Sequence, residues 1–225
     1  MAAATTPAPA MALPEGAAQF KLVLIGEGGV GKTTFVKRVL TGDYTKHYDA
    51  TIGAEMRQLP FYTNRGPIVF NVWDTAGQEK YAGLRDGYYL KAQACIIMFD
   101  LTARGSYLMV PEWHKRISRI AADIPTVLVG NKVDVKERMV KARQIRYHRR
   151  VGIPYFDISA KTNYNAVRPF LKIACILARD ESLRFTEAPV LLPAEFQLNE
   201  EQKRALEADR VAADAAPLPE GDDFD

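Results

Sequence analysis

Short runs of apolar and β-branched residues recur along this chain, and each is followed by a polar or glycine-rich segment. Four runs have the length and composition of buried strands, namely residues 20–25, 68–73, 126–130 and 154–158. Helix-like stretches such as residues 34–40 alternate with them. This alternation, which continues to residue 179, predicts a mostly parallel sheet covered by helices on both faces.

Residues 61–67 contain the turn-forming residues Asn64, Gly66 and Pro67, which indicate a β-hairpin and hence one antiparallel edge strand. We therefore expect an α/β fold with a six-stranded, mostly parallel sheet, one antiparallel edge strand and a C-terminal helical arm. The sequence shows no internal repeat.

The ends of the chain differ in composition from its middle. An Ala/Pro/Thr-rich start without apolar periodicity predicts disorder. Asn199 can cap a helix whose first turn is acidic, and prolines end that helix. We predict a disordered extension, an α/β domain, a linker, a C-terminal helix and an acidic tail at residues 1–18, 19–180, 181–198, 199–216 and 217–225.

Composition narrows the class of protein. The chain has 225 residues, of which 48% are hydrophobic and 25% charged, values typical of one soluble domain with appendages. Its apolar runs are too short for a transmembrane helix. Cys95 and Cys175 lie in apolar stretches and are expected to be reduced core residues. With no cysteine after Cys175 and no glycine after Met1, we expect no lipid anchor.

Residues 26–33 match Gly-x-x-x-x-Gly-Lys-Ser/Thr between a predicted strand and a predicted helix. Backbone N–H groups and the helix N-terminus of such a loop bind phosphate. An ordinary glycine-rich turn is the alternative, and the strand–loop–helix context disfavours it. The residues assigned to phosphate binding are Glu27, Gly28, Gly29, Val30, Gly31, Lys32, Thr33 and Thr34, joined by Gly77 from a later segment.

Two segments at later strand ends indicate the base. Asp134, in the sequence Asn131-Lys132-Val133-Asp134, can accept from both the ring N–H and the exocyclic amine of guanine, a donor pair that adenine lacks. The sequence is also common in surface turns, but here it follows a phosphate loop and precedes Ser-Ala-Lys. The residues assigned to guanine on this basis are Asn131, Lys132, Asp134, Ser159, Ala160 and Lys161.

The segment Asp74-Thr75-Ala76-Gly77-Gln78 carries residues expected to take part in Mg²⁺ binding and in hydrolysis. Thr33 and Thr51 are expected to bind Mg²⁺ directly, and Asp74 through water. The Gly77 N–H is expected to meet the γ-phosphate, and Gln78 is expected to act as the catalytic residue that orients the attacking water.

The chain resembles the small GTPases of the Ras superfamily, and within it the Ran family of nuclear-transport GTPases. Residues 31–38, 63–68, 70–80 and 84–89 carry the resemblance, which extends from about residue 19 to residue 179. It implies GTP or GDP with Mg²⁺, and slow hydrolysis without an activating protein. It also implies that Tyr44 covers the guanine face and that Tyr48 lies over Gln78. The segment that GTP would order, switch I, comprises Thr45, Lys46, His47, Tyr48, Asp49, Ala50 and Thr51.

The same resemblance implies partners and a location. The partners would be importin-β-like transport receptors, Ran-binding-domain proteins, a GTPase-activating protein and a chromatin-bound exchange factor. The protein would be a monomer in nucleus and cytoplasm, without a membrane anchor or direct nucleic-acid binding. GDP would fold the C-terminal arm onto the core, and GTP would release it. The sequence departs from the pattern in a less basic switch I and in a tail interrupted by Gly221 and Phe224.

Several alternatives remain open at this stage. The basic segment of residues 141–150 could be a solvated helix face, a nucleic-acid patch or an intramolecular or effector contact. A vesicle-traffic GTPase of the Rab type without a lipid anchor, and a guanine-nucleotide-binding scaffold that does not hydrolyse GTP, are the rival functions.

Overall fold

The computed structural model describes residues 14, 16–44, 51, 53–75, 87–187 and 200–216. Its strands are β1 (Ala18–Ile25), β2 (Ala54–Thr63), β3 (Gly66–Thr75), β4 (Ala94–Asp100), β5 (Thr126–Asn131), β6 (Tyr155–Asp157) and β7 (Phe185–Glu187). Its helices are α1 (Lys32–Thr41), α2 (Arg104–Leu108), α3 (Val110–Ile120), α4 (Tyr147–Val151), α5 (Arg168–Ala178) and α6 (Glu200–Ala215), with a 3₁₀ turn at Ala142–Gln144.

The strands form one sheet in the order β6-β5-β4-β1-β3-β2-β7. Strand β1 pairs in parallel with β3 on one side and with β4 on the other. Strands β5 and β6 extend the parallel part, whereas β2 runs antiparallel to β3. The predicted α/β fold with a mostly parallel sheet is confirmed. Because the strand order reverses at β1, a crevice for a ligand forms beyond its carboxyl end.

The number of strands differs from the prediction of six, because β7 pairs antiparallel with β2 and replaces it as the edge strand. Phe185 of β7 stacks on Phe61 with ring centroids 4.5 Å apart. Strand β7 lies within the segment predicted as a linker. A strand of three residues, held by one aromatic contact and a short pairing, leaves no periodic signal in the sequence.

The N-terminal boundary also shifts slightly, because β1 begins at Ala18, whose partner in β3 is Ile68. Residues 1–13 and 15 of the predicted extension lie outside the described part of the chain.

Side chains of β1 alternate between two hydrophobic clusters, one on each face of the sheet. Leu22 and Leu24 pack in the cluster that contains Phe170 of α5, and Val23 and Ile25 pack in the cluster that contains Trp113 of α3. A central strand buried on both faces holds the loop that follows it in a fixed position.

The two cysteines, Cys95 and Cys175, are buried and unbonded to each other. Burial raises the pKa of the Cys95 thiol, so this side chain stays protonated. Among the described residues, no helix is long and apolar enough to cross a membrane.

Candidate functional site

The loop between β1 and α1 depends on two glycines with positive φ. At Gly26 φ is +142°, and a Cβ atom would lie 2.0 Å from the main-chain oxygen of Met98 in β4. At Gly31 φ is +97°, and a Cβ atom would lie 2.5 Å from Nδ2 of Asn131. Any side chain at either position would therefore clash with the neighbouring strands.

Helix α1 begins at the end of this loop with its N-terminal groups suited to an anion. Gly31 is its N-cap residue, and no side chain caps it. The first turn also contains no acidic residue that would compete for the positive end of the helix dipole. An uncapped helix N-terminus can bind an anion, and the role of Lys32, Thr33 and Thr34 in holding phosphate stays a prediction.

Side-chain donors hold four carbonyl groups of the same loop. The Lys32 ammonium donates to the main-chain oxygens of Gly26 and Glu27, at 2.8 Å each. Lys132 donates to the oxygen of Gly29 at 3.0 Å. In addition, Asn131 Nδ2 donates to the oxygen of Val30 at 2.8 Å. With its carbonyls engaged by the protein, the loop retains its N–H groups as donors for phosphate.

The predicted base-binding segments lie next to this loop and are bonded to each other. Asn131 Oδ1 accepts from the N–H of Ala160 at 2.9 Å. The Ser159 hydroxyl donates to Oδ1 of Asp134 at 2.6 Å and accepts from the N–H of Thr162 at 3.0 Å. Ser159 is fully buried, so it fixes the direction of the half-buried Asp134 carboxylate. Lys161 is exposed in the adjoining turn.

Asp100, which was not among the predicted site residues, ends β4 beside Asn131 of β5. Its Oδ2 atom lies 2.6 Å from the Lys132 ammonium, and its Oδ1 atom accepts from the N–H and the hydroxyl of Thr102. Asp100 thus orients the lysine that holds the phosphate loop. An acidic residue at the carboxyl end of a central strand was the signal that could have indicated it.

Three oxygen-bearing side chains predicted to bind Mg²⁺ converge beside the loop. The Thr33 hydroxyl lies 2.8 Å from the hydroxyl of Thr51 and donates to Oδ2 of Asp74 at 2.5 Å. Asp74 Oδ1 is buried without a hydrogen-bond partner among the described residues. Burial raises the pKa of the Asp74 carboxyl, although the hydrogen bond from Thr33 opposes this shift.

A buried carboxylate oxygen that lacks a partner is costly unless a cation or a water meets it. Hydroxyl and carboxylate oxygens are ligands that Mg²⁺ prefers, and this ion commonly uses few protein ligands together with phosphate and water. The residues therefore fit Mg²⁺, with Thr33 and Thr51 as direct ligands and Asp74 acting through water. When bound, the ion would neutralise charge on the phosphates.

Several predicted site residues lie outside the described part of the chain. They are Gly77, the catalytic candidate Gln78, and the switch I residues Thr45, Lys46, His47, Tyr48, Asp49 and Ala50. Their roles stay predictions. Tyr44 is described and half-buried just after the end of α1, and its position over a guanine ring also stays a prediction.

A second side chain that the sequence did not indicate is Trp113 of α3. Its indole N–H donates to Oε1 of Glu27 in the phosphate loop at 3.0 Å. These two residues are 86 positions apart, and no local pattern connects them.

The parallel sheet, the phosphate loop at its carboxyl edge and the adjoining Asn131–Asp134 segment define a P-loop nucleotide-binding protein with a candidate guanine site. A family model described as the Ras family matches residues 21–178. The chain belongs to the Ras family, which makes it a small GTPase. Members of this family bind GTP or GDP with Mg²⁺ and hydrolyse GTP.

Proposed function

We propose that this GTPase is a switch for nucleocytoplasmic transport, whose GTP form binds importin- and exportin-type receptors. The observation that supports this proposal best is the docking of the C-terminal helix α6 on the GTPase core. Helix α6 contacts the 3₁₀ turn Ala142–Gln144, within the basic segment of residues 141–150. A C-terminal arm on that segment matches the Ran-like organisation that the sequence resembles.

Arg149 holds the end of this arm. Its guanidinium donates to the main-chain oxygens of Ala213 and Ala216, the latter at 2.5 Å. A cation at a helix C-terminus also interacts favourably with the helix dipole. Val211 of α6 is 61% exposed, so this apolar side chain is not buried against the core. A contact of this kind at the helix end suits a reversible arm, which GDP would favour and GTP would release.

The proposed cycle uses four kinds of partner. A chromatin-bound exchange factor would load GTP in the nucleus, and importin-β-like receptors would bind that form. Ran-binding-domain proteins and a GTPase-activating protein would return it to GDP in the cytoplasm. The protein would act as a monomer and would cycle between the two compartments.

A pull-down with an importin-β-like receptor tests this proposal. The purified full chain is loaded with GDP or with a non-hydrolysable GTP analogue, and retention on the receptor is compared. Retention of the GTP-analogue form alone is the expected result. If neither form binds, the transport role is wrong, and sedimentation with vesicles then tests the alternative of a Rab-like vesicle-traffic GTPase.

Replacement of Gln78 by leucine is expected to stop hydrolysis while leaving GTP binding intact. Leucine cannot orient the attacking water, although it does not remove any predicted phosphate contact. Single-turnover phosphate release measures the effect, and the affinity for a non-hydrolysable analogue is the control. An unchanged hydrolysis rate would remove Gln78 from the catalytic role.

Removal of residues 199–225 is expected to shift the ratio of GTP to GDP affinity toward GTP, because the arm would stabilise the GDP form. Arg149→Ala should shift it in the same direction, on the order of threefold, through loss of the helix-end contact. Arg168→Ala is the control, since Arg168 is an exposed arginine of α5 and lies outside the basic segment of residues 141–150. Equal ratios in the wild type and the truncated chain would contradict a nucleotide-dependent arm.

A further inference from the structure

A carboxylate lies inside the loop that binds phosphate. Glu27 follows Gly26 directly, and its main-chain oxygen accepts a hydrogen bond from the Lys32 ammonium at 2.8 Å. This is the lysine expected to meet the β- and γ-phosphates. A negative side chain so close to a triphosphate would weaken binding through repulsion unless it were held away from the phosphates.

The indole of Trp113 provides such a restraint. Its Nε1–H group donates to Oε1 of Glu27 at 3.0 Å, a hydrogen bond from a neutral donor to a charged acceptor. The bond therefore draws the carboxylate toward helix α3, which lies on the sheet face opposite α5.

Trp113 is a rigid donor because its ring is fixed in the core. It is only 4% exposed and belongs to the same hydrophobic cluster as Ile117 of α3 and Val23 of β1. The guanidinium of Arg116 lies over the ring, 5.3 Å from its centroid. Because the ring is packed in this way, its N–H group keeps a fixed position and offers the Glu27 carboxylate a fixed donor.

We infer that Trp113 is a positioning residue that holds the Glu27 carboxylate away from the bound phosphates. It thereby sets the affinity of the loop for triphosphate relative to diphosphate. This inference rests on the binding of guanine nucleotides by the same loop. In this view the negative charge of Glu27 must be kept away from the phosphates, and Trp113 does so in addition to packing in the core.

Exchange of Trp113 for phenylalanine tests the donor, since phenylalanine keeps an aromatic ring in the core and lacks the N–H group. Without the hydrogen bond, the carboxylate can turn toward Lys32 and compete with the phosphates. The affinity for a non-hydrolysable GTP analogue should fall about tenfold, as expected for loss of one charge-assisted hydrogen bond. The affinity for GDP should fall less, because GDP carries less charge.

The second variant, Glu27→Gln, separates charge from packing. Glutamine keeps an oxygen acceptor for Trp113 and removes the negative charge. Alone, it should bind the GTP analogue at least as tightly as the wild type. Combined with Trp113→Phe, it should restore most of the lost affinity and the original preference between the analogue and GDP. A purely structural role for Trp113 would allow no such rescue.

The chain offers a matched control, because it contains two tryptophans and Trp73 is the other. Trp73→Phe makes the same chemical change in β3 and should leave nucleotide affinities near the wild-type values. Melting temperatures of all variants, measured without nucleotide, report any loss of folding. If Trp113→Phe is unfolded, Glu27→Gln and Glu27→Lys still test whether charge at this position controls analogue binding.

Two results would overturn the positioning role. One is a folded Trp113→Phe variant that binds the GTP analogue with wild-type affinity. The other is an affinity for the analogue that is equally low in Trp113→Phe and in the double variant. If Trp113→Phe is unfolded, equal affinities of Glu27→Gln and Glu27→Lys for the analogue would do the same. If the wild type does not bind guanine nucleotides, the proposed function of the loop is wrong. The role of Trp113 is then wrong as well, because it depends on that binding.

Discussion

Replacement of Asp134 by asparagine is expected to lower GTP affinity by about 10²–10⁴-fold, and to create affinity for xanthosine triphosphate. The carboxylate can accept from both donors on the guanine edge, and hydrogen bonds to charged groups contribute about 1.5–3 kcal/mol each. Asparagine presents an amine in place of one oxygen. That amine opposes the guanine amino group, whereas it can donate to the oxygen that xanthine carries at the same position.

Ser159 determines which atom of the asparagine side chain faces the base. Its hydroxyl donates to Oδ1 of Asp134 at 2.6 Å. Because that hydroxyl needs an acceptor, it favours the asparagine rotamer whose oxygen faces Ser159 and whose amine faces the base. Competition between the two triphosphates for a labelled nucleotide measures the change in specificity. Asp123→Asn, an exposed change of the same kind, is the control. Unaltered GTP affinity in Asp134→Asn would exclude Asp134 from base recognition.

Asn131 joins the base-binding segment to the phosphate loop. Its amide nitrogen donates to the oxygen of Val30, and its amide oxygen accepts from the N–H of Ala160. A single side chain, 2% exposed, thus ties together the loops that follow β1, β5 and β6. Because movement of any one of these loops would disturb these hydrogen bonds, we expect base and phosphate binding to be energetically coupled.

The local motifs of this site could be predicted from sequence because their geometry depends on neighbouring residues. A glycine pattern between a strand and a helix specifies the phosphate loop, and β-branched runs specify the central strands. Asp100 had only the signal of an acidic residue at a strand end, and Trp113 had none. Trp113 and Glu27 are 86 positions apart, and only the packing of α3 on the sheet brings them together.

Strand β7 escaped prediction for a different reason. It is held by long-range contacts, such as the stacking of Phe185 on Phe61. Such contacts require no periodic pattern in the segment that makes them. Short, weakly held elements at the periphery of a fold are therefore the least visible in the sequence.

Replacement of Thr33 by asparagine is expected to remove most of the magnesium dependence of GTP binding. The Thr33 hydroxyl lies 2.8 Å from the hydroxyl of Thr51 and 2.5 Å from Oδ2 of Asp74. A longer amide would occupy the space between these oxygens and would place a donor where a cation needs ligands. GTP affinity in Mg²⁺ should therefore fall by on the order of 100-fold.

The loss should be smaller for GDP, because Thr51 is expected to join the magnesium site only when triphosphate is bound. Nucleotide release in Mg²⁺ and in excess chelator measures the effect. The wild type should release GTP much faster in chelator, whereas Thr33→Asn should release it at similar rates in both. Thr41→Asn, at the exposed end of the same helix, should retain the wild-type difference. A Thr33→Asn variant that keeps the full magnesium dependence would place the cation elsewhere. The Oδ1 atom of Asp74, which has no hydrogen-bond partner among the described residues, would then need another explanation.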